Sequence, residues 1–403
     1  MKRTPRVAII GGGIGGATLA AALDHCGIDY RLFERTHRFG EVGAGVQLTP
    51  NAVTVLDELG FADELRRVAF VPEAMVGRNW KSGRELFRTP LRDSCETLYG
   101  APFLHIHRAD LHALLTERIP DDRVRLGTAC AGIRHDADTA VASFDDGSEF
   151  EADLVVGCDG IRSTVRAALL GDQDATYTGH MCWRALVPVD KYPLPHVRPE
   201  SAFWMGPNSH IVTYYVKGGA MVNVVAVKEH PGWVEESWTI PSTKAELLHA
   251  YTGWSDDIQA LLGGAEDDQI FKWGLFDRDP MSRWSADTVT LLGDAAHPML
   301  PFLSQGAAIS IEDAYVLART LAHHDADIPL ALKKYEAERI PRASRVQLAA
   351  RERGRTYHLP TRWAQFKRDA RYRLRQLRSR NTVGIQADWV YDYNAVERMN
   401  QLV

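Results

Sequence analysis

The chain has 403 residues, 45% of them hydrophobic and 25% charged, enough apolar material for two intimate domains or one large one. A net charge of −5 sets up no strong field for nucleic acid or an anionic membrane, so neither partner is expected. Five cysteines (Cys26, Cys95, Cys130, Cys158, Cys182) are scattered without C-x-x-C spacing, which argues against a zinc site or a disulfide framework and suits a reducing cytosol. None of the 15 histidines falls in an H-E-x-x-H spacing, so no metal is expected. No run of about 18 apolar residues occurs, so no integral membrane segment is expected.

The first predicted element is a buried strand over Arg6 to Ile10, continuous and β-branched, stopped by glycine. A helix over Ala17 to Cys26 follows, closed by Gly27, then a strand over Asp29 to Phe33 that ends at Glu34. Helical periodicity runs from Pro50 to Val68, alternation from Val71 to Leu91, and helical spacing again from His107 to Ile119. Strand patterns surround the turn Asp145-Asp146-Gly147-Ser148, and Leu154 to Gly157 is a short buried strand. Cys182 to Val227 is rich in strand formers, with His210 to Val216 and Ala220 to Val227 joined at Gly218-Gly219. The remaining expectations are a helix over Lys244 to Leu262, a strand over Val289 to Leu292, a helix over Ala307 to Leu321, and a long Arg-rich helix over Tyr335 to Arg378.

Three motifs carry chemistry. Gly11-Gly12-Gly13-Ile14-Gly15-Gly16 is a G-x-G-x-x-G between a strand and a helix. Gly11 allows the tight turn, Gly13 lets the backbone approach a pyrophosphate, and Gly16 lets helix and strand pack closely. Glu34, at the end of the second strand, can accept from ribose hydroxyls, and its charge disfavours a 2′-phosphate. The second motif is Val155-Val156-Gly157-Cys158-Asp159-Gly160-Ile161-Arg162-Ser163, a strand running into an Asp-Gly turn. The third is Leu291-Leu292-Gly293-Asp294-Ala295-Ala296-His297-Pro298, where Asp294 is placed to meet a polyol. Gln305-Gly306-Ala307-Ala308 then opens a helix whose amides suit an electron-rich ring edge.

In this order the three motifs resemble those of the single-component, FAD-dependent aromatic hydroxylases, over nearly the whole chain. The resemblance implies an α/β fold: a discontinuous Rossmann-type FAD-binding domain (1–72, 100–178 and 271–345), an inserted β-sheet substrate domain (73–99 and 179–270) and a helical C-terminal region (346–403). It implies FAD contacts at Gly11, Gly13, Gly15, Gly16, Glu34, Arg35, Gln47, Arg108, Cys130, Asp159, Gly293, Asp294, Gly306 and Ala307. Arg108 would meet phosphate or ribityl, Cys130 would lie on the adenine side, and the Asp159 turn would also serve NADH or NADPH. Within the family the chain is similar to 6-hydroxynicotinate 3-monooxygenases and 3-hydroxybenzoate 6-hydroxylases, and less so to salicylate hydroxylases. The stretches that carry this are 39–45, Asp277-Arg278-Asp279-Pro280 and Ala387-Asp388-Trp389. His210 and Tyr214, four apart on a predicted strand and so on one face, match a pair that lines the family's substrate pocket.

The implied activity is hydroxylation of a small phenolic or hydroxypyridine carboxylate with NAD(P)H and O2 through a flavin C4a-hydroperoxide. Tyr214, with His210 beside it, is the expected base for the ring hydroxyl, and Gln47 orients flavin or substrate. Two positions depart from the hydroxynicotinate pattern: Gln47 stands where a histidine is expected and Ser201 where a cysteine is, while Pro301 agrees with it. An oxidase or dehydrogenase without oxygen insertion shares the first motif, and a hydroxylase of a larger phenolic shares all three. The Arg-rich run Arg362 to Arg380 reads as a solvated face, a homodimer contact or a membrane-associating surface.

Overall fold

The computed structural model describes residues 5–40, 44–171, 173–190, 197–232, 240–324, 327–378 and 388–401. Of the stretches singled out above, residues 41–43, 191–196, 379–380 and 387 lie outside the described residues. A six-stranded sheet has the order Ser285–Ala286, Val289–Leu291, Leu154–Gly157, Arg6–Ile10, Asp29–Phe33, Val124–Arg125. Every neighbour pair is parallel except the edge pair Ser285–Ala286 and Val289–Leu291. Its central strands are continuous apolar runs because both faces are covered. Helices Ile14–His25 and Gly306–His323 pack against each other.

After Arg6–Ile10 the chain first builds to one side, with Asp29–Phe33, and later to the other, with Leu154–Gly157 and then Val289–Leu291. The crevice beyond the carboxyl ends of these strands is therefore a topological switch point, where open α/β sheets take their ligands. The three motifs begin there, on three adjacent parallel strands: Gly11 after Ile10, Cys158 after Gly157, and Leu292-Gly293 after Leu291.

The second large sheet has eight strands in the order Ile240–Pro241, Phe271–Asp277, Thr176–Pro188, Met221–Glu229, Ser209–Val216, Glu200–Gly206, Ala74–Asn79, Glu85–Pro90. It is antiparallel apart from the pair Glu200–Gly206 and Ala74–Asn79. Strand Phe271–Asp277, grouped by sequence with the nucleotide-binding part, pairs with Thr176–Pro188 and so belongs to this sheet. The period of two decides what each face meets. Ile211 and Tyr215 join Trp183, Tyr251 and Trp254 under the helices Lys244–Ala250 and Asp256–Gly263. Val212, Tyr214 and Val216 look the other way.

Three expected helices are each two. Pro50–Glu58 and Ala62–Val68 are divided at Gly60, whose φ of +82° ends a helix. Lys244–Ala250 and Asp256–Gly263 are divided near Gly253, φ +80°. Ile328–Tyr357 and Arg362–Arg378 are divided at His358-Leu359-Pro360-Thr361, where Pro360 has no N–H to continue the ladder.

A buried polar network locks the Gly293 turn to the helices behind it. Asp313 accepts from Arg339 Nε at 2.7 Å, lies 2.5 Å from His297 Nε2, and approaches Gly293 N at 3.4 Å. Glu312 accepts from Arg342 and from Asn51 Nδ2, and pairs with Arg339 at 2.7 Å. Against the upward push of burial, His297 and Arg339 hold the Asp313 carboxyl below its usual range, and Arg342 and Arg339 hold that of Glu312.

Candidate active site

A cavity of about 670 Å³ lies where the switch-point crevice meets the inward face of the large sheet. Its walls bring together Gly13 and Gly15, Gln47, Arg108, Gly293 and Asp294, Gly306 and Ala307, His210 and Tyr214. The backbone fits an extended dinucleotide. A Cβ on Gly11 would lie 2.5 Å from the Cys158 carbonyl oxygen, with φ at +104°, and one on Gly16 would strike the Gly11 oxygen. At Gly13 and Gly306, by contrast, a Cβ would meet nothing within 4 Å. The turn is thus closed on its protein side and open on its cavity side. The helices starting at Ile14 and Gly306 have no side-chain cap hydrogen bond and no acidic residue in their first turn. Their free N–H groups and dipoles favour anionic or electron-rich groups in the cavity.

Gly12 is clamped on both sides. Its N–H donates to Glu34 Oε2 at 2.8 Å, and its carbonyl lies 2.6 Å from His112 Nε2. Glu34 also accepts from Thr36 N. Its carboxylate therefore braces the glycine turn. Asp159 accepts from Ser163 Oγ at 2.5 Å and from Val165 N at 3.2 Å, at the start of helix Thr164–Leu170. Burial raises its pKa, with Ser163 pulling it back. Its side chain supports the turn while Gly160, Ile161, Arg162 and Ser163 form the wall. Arg35 is exposed, and Cys130 is half-buried with Sγ 3.6 Å from Gly132 O; neither is on the cavity wall. Asp294 shows its open surface to the cavity but is otherwise enclosed, so burial raises its pKa while His297 and Arg108 lower it.

The wall is electropositive. Arg108, Arg162, Arg166, Arg184 and Arg278 outnumber Asp174 and Asp294. On the large sheet the cross-strand register puts His210, Val227 and Cys182 in one row, Val212, Val225 and Arg184 in the next, and Tyr214, Asn223 and Leu186 in a third. One face thus presents an imidazole, a guanidinium and a phenol. Arg184 stacks over Trp273, with its guanidinium carbon 4.5 Å from the ring centroid. Burial holds His210 neutral, its pKa pushed down to about 3, and raises that of Tyr214.

The two departures from the hydroxynicotinate pattern touch each other: Gln47 Nε2 donates to Ser201 Oγ at 2.8 Å, both buried. Five further site residues lay outside the sequence-based set. Gly45 lets Tyr214 sit against the backbone, since a Cβ there would lie 2.4 Å from Tyr214 Cε2, and Asn223 Oδ1 accepts from Gly45 N at 2.8 Å. Arg184 could have been found from the same period of two that paired His210 with Tyr214, had the register been known. His112 and His358 have no local signal, because their partners are 100 and 148 residues away.

Residues 4–350 match the family described as FAD binding domain. A 3-amino-4-hydroxybenzoate 2-monooxygenase of Streptomyces platensis is 44% identical over 365 residues, 91% of each chain. A 6-hydroxynicotinate 3-monooxygenase of Bordetella bronchiseptica is 38% identical over 86% of this chain and 91% of its own. Among solved structures, a salicylate hydroxylase substrate complex superposes with a TM-score of 0.82 at 28% identity, covering 99% of this chain and 98% of that one. The glycine turn, the two uncapped helix starts and the basic cavity are accordingly those of a chain that belongs to the FAD binding domain family, within the FAD-dependent aromatic hydroxylases.

Proposed function

We propose that this FAD- and NAD(P)H-dependent aromatic monooxygenase acts on a small hydroxybenzoate carrying an ortho amino group, of the 3-amino-4-hydroxybenzoate type. The observation that carries the reading is the single sheet face bearing His210, Arg184 and Tyr214. A benzoate ring laid along it pairs its carboxylate with Arg184 and turns its ring hydroxyl to His210 and Tyr214. Bound FAD supplies the reducible ring on which O2 is activated. The protein's own part is to hold the target ring, keep water out, and take the phenolic proton so that electron density rises ortho and para to the oxygen. Gly13, Gly15 and Arg108 are assigned to the pyrophosphate and ribityl side, Asp294 to the polyol, and Gly306-Ala307 to the flavin's carbonyl edge. Gly11, Gly16, Glu34 and Asp159 act by shaping those turns. Arg35 and Cys130 are assigned to the adenosine end by resemblance alone.

The first relatives' shared substrate name supports the amino-substituted ring over hydroxynicotinate or 3-hydroxybenzoate. The Gln47–Ser201 pair supports it too, since it sets this cavity apart from the hydroxynicotinate pattern. The five cysteines are all free, which supports a reducing cytosolic setting, and no helix among the described residues is long and apolar enough to cross a membrane. A homodimer would use the exposed Trp363, Phe366, Leu374 and Leu377 of helix Arg362–Arg378.

The test is stimulation of NADH oxidation, with product mass, for 3-amino-4-hydroxybenzoate, 2-aminophenol, 6-hydroxynicotinate, 3-hydroxybenzoate and salicylate. The reading requires 3-amino-4-hydroxybenzoate to lead and 2-aminophenol, which lacks the carboxylate, to bind poorly. Arg184→Met should erase that difference. Equal affinity for the two compounds in the unaltered enzyme defeats the assignment of Arg184.

A further inference from the structure

His210 is linked to the surface by a line of titratable groups that the reaction as described so far does not use. Its Nδ1 lies 2.6 Å from Nε2 of His358, which is itself buried, at the break that follows helix Ile328–Tyr357. The second nitrogen of His358, Nδ1, is buried without a hydrogen-bond partner, and 3.6 Å beyond it stands Oε1 of Glu229, whose side chain is 43% exposed. Glu229 is the last residue of strand Met221–Glu229. Three separate elements thus place imidazole, imidazole and carboxylate in line from the cavity wall to solvent.

We propose that His210, His358 and Glu229 form a proton relay, in which Glu229 and His358 are positioning residues that set the tautomer of His210 and carry the substrate's phenolic proton to solvent. This rests on the phenol-binding role given to His210 above. The polarity of the line follows from the donor inventory of neutral imidazole, one N–H and one bare nitrogen. Anionic Glu229 accepts, so the His358 proton sits on Nδ1. His358 Nε2 is then bare and accepts, so the His210 proton also sits on Nδ1. His210 therefore presents a bare Nε2, the nitrogen not committed to His358, to the cavity it lines. A small rotation of the exposed Glu229 closes the remaining gap.

In the transfer, the substrate O–H bond breaks and its electron pair stays on oxygen as phenolate. The proton binds His210 Nε2, the His210 Nδ1 proton moves to His358 Nε2, and the His358 Nδ1 proton moves to the Glu229 carboxylate. When the hydroxylated product regains a proton, the same steps run backward and both tautomers are restored. Charge is never stored on the rings, which suits their surroundings. Burial keeps His210 and His358 neutral, and His180 and Arg368, which face His358, add to that; burial also raises the Glu229 carboxyl toward proton acceptance. His180, cross-strand from Glu229, is likewise held neutral by burial, with Asp277 opposing. Phe302 and Tyr357 close the apolar sides.

Two readouts test this. The first needs no substrate: long-range proton–nitrogen correlation on protein labelled with 15N-histidine, unaltered and as Glu229→Ala, with His210→Gln and His358→Gln used for assignment. The Nδ1–H tautomer is expected for both rings in the unaltered protein, with a mixture at His210 in Glu229→Ala although the two residues do not touch. An Nε2–H tautomer at His210, or no change in Glu229→Ala, overturns the relay. The second is single-turnover hydroxylation of 3-amino-4-hydroxybenzoate across pH in enzyme with full FAD content. Glu229→Ala and His358→Gln are expected to slow hydroxylation by on the order of tenfold and to move the acid limb of its pH profile, with Glu229→Asp restoring part of the rate. Unchanged rate and limb in both variants overturn the relay. Failure of the unaltered enzyme to hydroxylate this compound counts against the proposed substrate, while the tautomer measurement still decides the relay.

Discussion

Gly45→Ala is the most revealing single substitution because its consequence follows from space alone. Gly45 begins the short strand Gly45–Leu48 and is not among the glycines with positive φ, so alanine is acceptable to the backbone. The new methyl would lie 2.4 Å from Tyr214 Cε2, 2.7 Å from its hydroxyl and 2.8 Å from Asn223 Cγ, whereas ordinary contact begins near 3.4 Å. The Tyr214 ring must therefore retreat by about 1 Å, from a position enclosed by His105 at a centroid distance of 4.5 Å. Overpacking of this kind costs about 1–3 kcal/mol of stability, and a 1 Å misplacement of a reacting group costs on the order of 10²-fold in rate. The assay compares hydroxylated product with NADH consumed and peroxide released, in enzyme matched for FAD content. We expect Gly45→Ala to retain FAD and to lose most product while peroxide rises. If product per NADH is unchanged, Tyr214 does not need its observed position and the substrate-side reasoning fails.

The Gln47–Ser201 hydrogen bond should behave as a unit: in a cycle of Gln47→Leu, Ser201→Ala and the double variant, substrate affinity should show a coupling of about 1 kcal/mol, and strict additivity would show that the contact is incidental. Arg339→Met leaves Asp313 and Glu312 buried and under-paired, so urea unfolding should show a loss of about 3–5 kcal/mol; a loss below about 1 kcal/mol would mean the network does not hold the Gly293 turn. Acid should destabilise the protein through its buried histidines. Burial lowers the pKa of His105 and of His210 to about 3, so the unfolded chain binds protons below about pH 6.5 that the folded one refuses. Stability is complete above that pH and falls as pH drops toward 3, by about 2 kcal/mol per histidine at pH 5. His105→Gln should flatten urea midpoints measured between pH 7 and 5, and an unaltered slope would refute the assignment for that residue.

The strands that build the parallel sheet were legible because each carries its own boundary: Arg6–Ile10 and Leu154–Gly157 are buried on both sides and stopped by glycine, so a short apolar run suffices to find them. The glycine spacing was likewise legible, since Gly11 and Gly16 are dictated by local close approach. The partners of Glu34 and Asp159 were not legible. Both carboxylates were expected to meet a ligand, and the structure adds a backbone partner for each: Glu34 accepts from Gly12 N and Asp159 from Val165 N. On the large sheet only the period of two was legible, and it joined His210 to Tyr214 on the cavity face. Arg184, Asn223 and His358 reach the same place through strand register and helix return, which depend on pairings more than 100 residues apart at His358 and on which strands neighbour which at Arg184. The one-turn breaks near Gly60 and at Pro360 were present as residue types, but strong flanking helical periodicity concealed them.

The central claim is most directly tested by hydroxylation under 18O2. Purified yellow enzyme, NADH and 3-amino-4-hydroxybenzoate are combined with catalase present, and the product is weighed by mass spectrometry. The account requires a product heavier by one 18O atom, formed in near-equal amount to the NADH consumed. NADH oxidation that yields only peroxide, with this compound and with every other hydroxybenzoate and hydroxynicotinate tried, would contradict it.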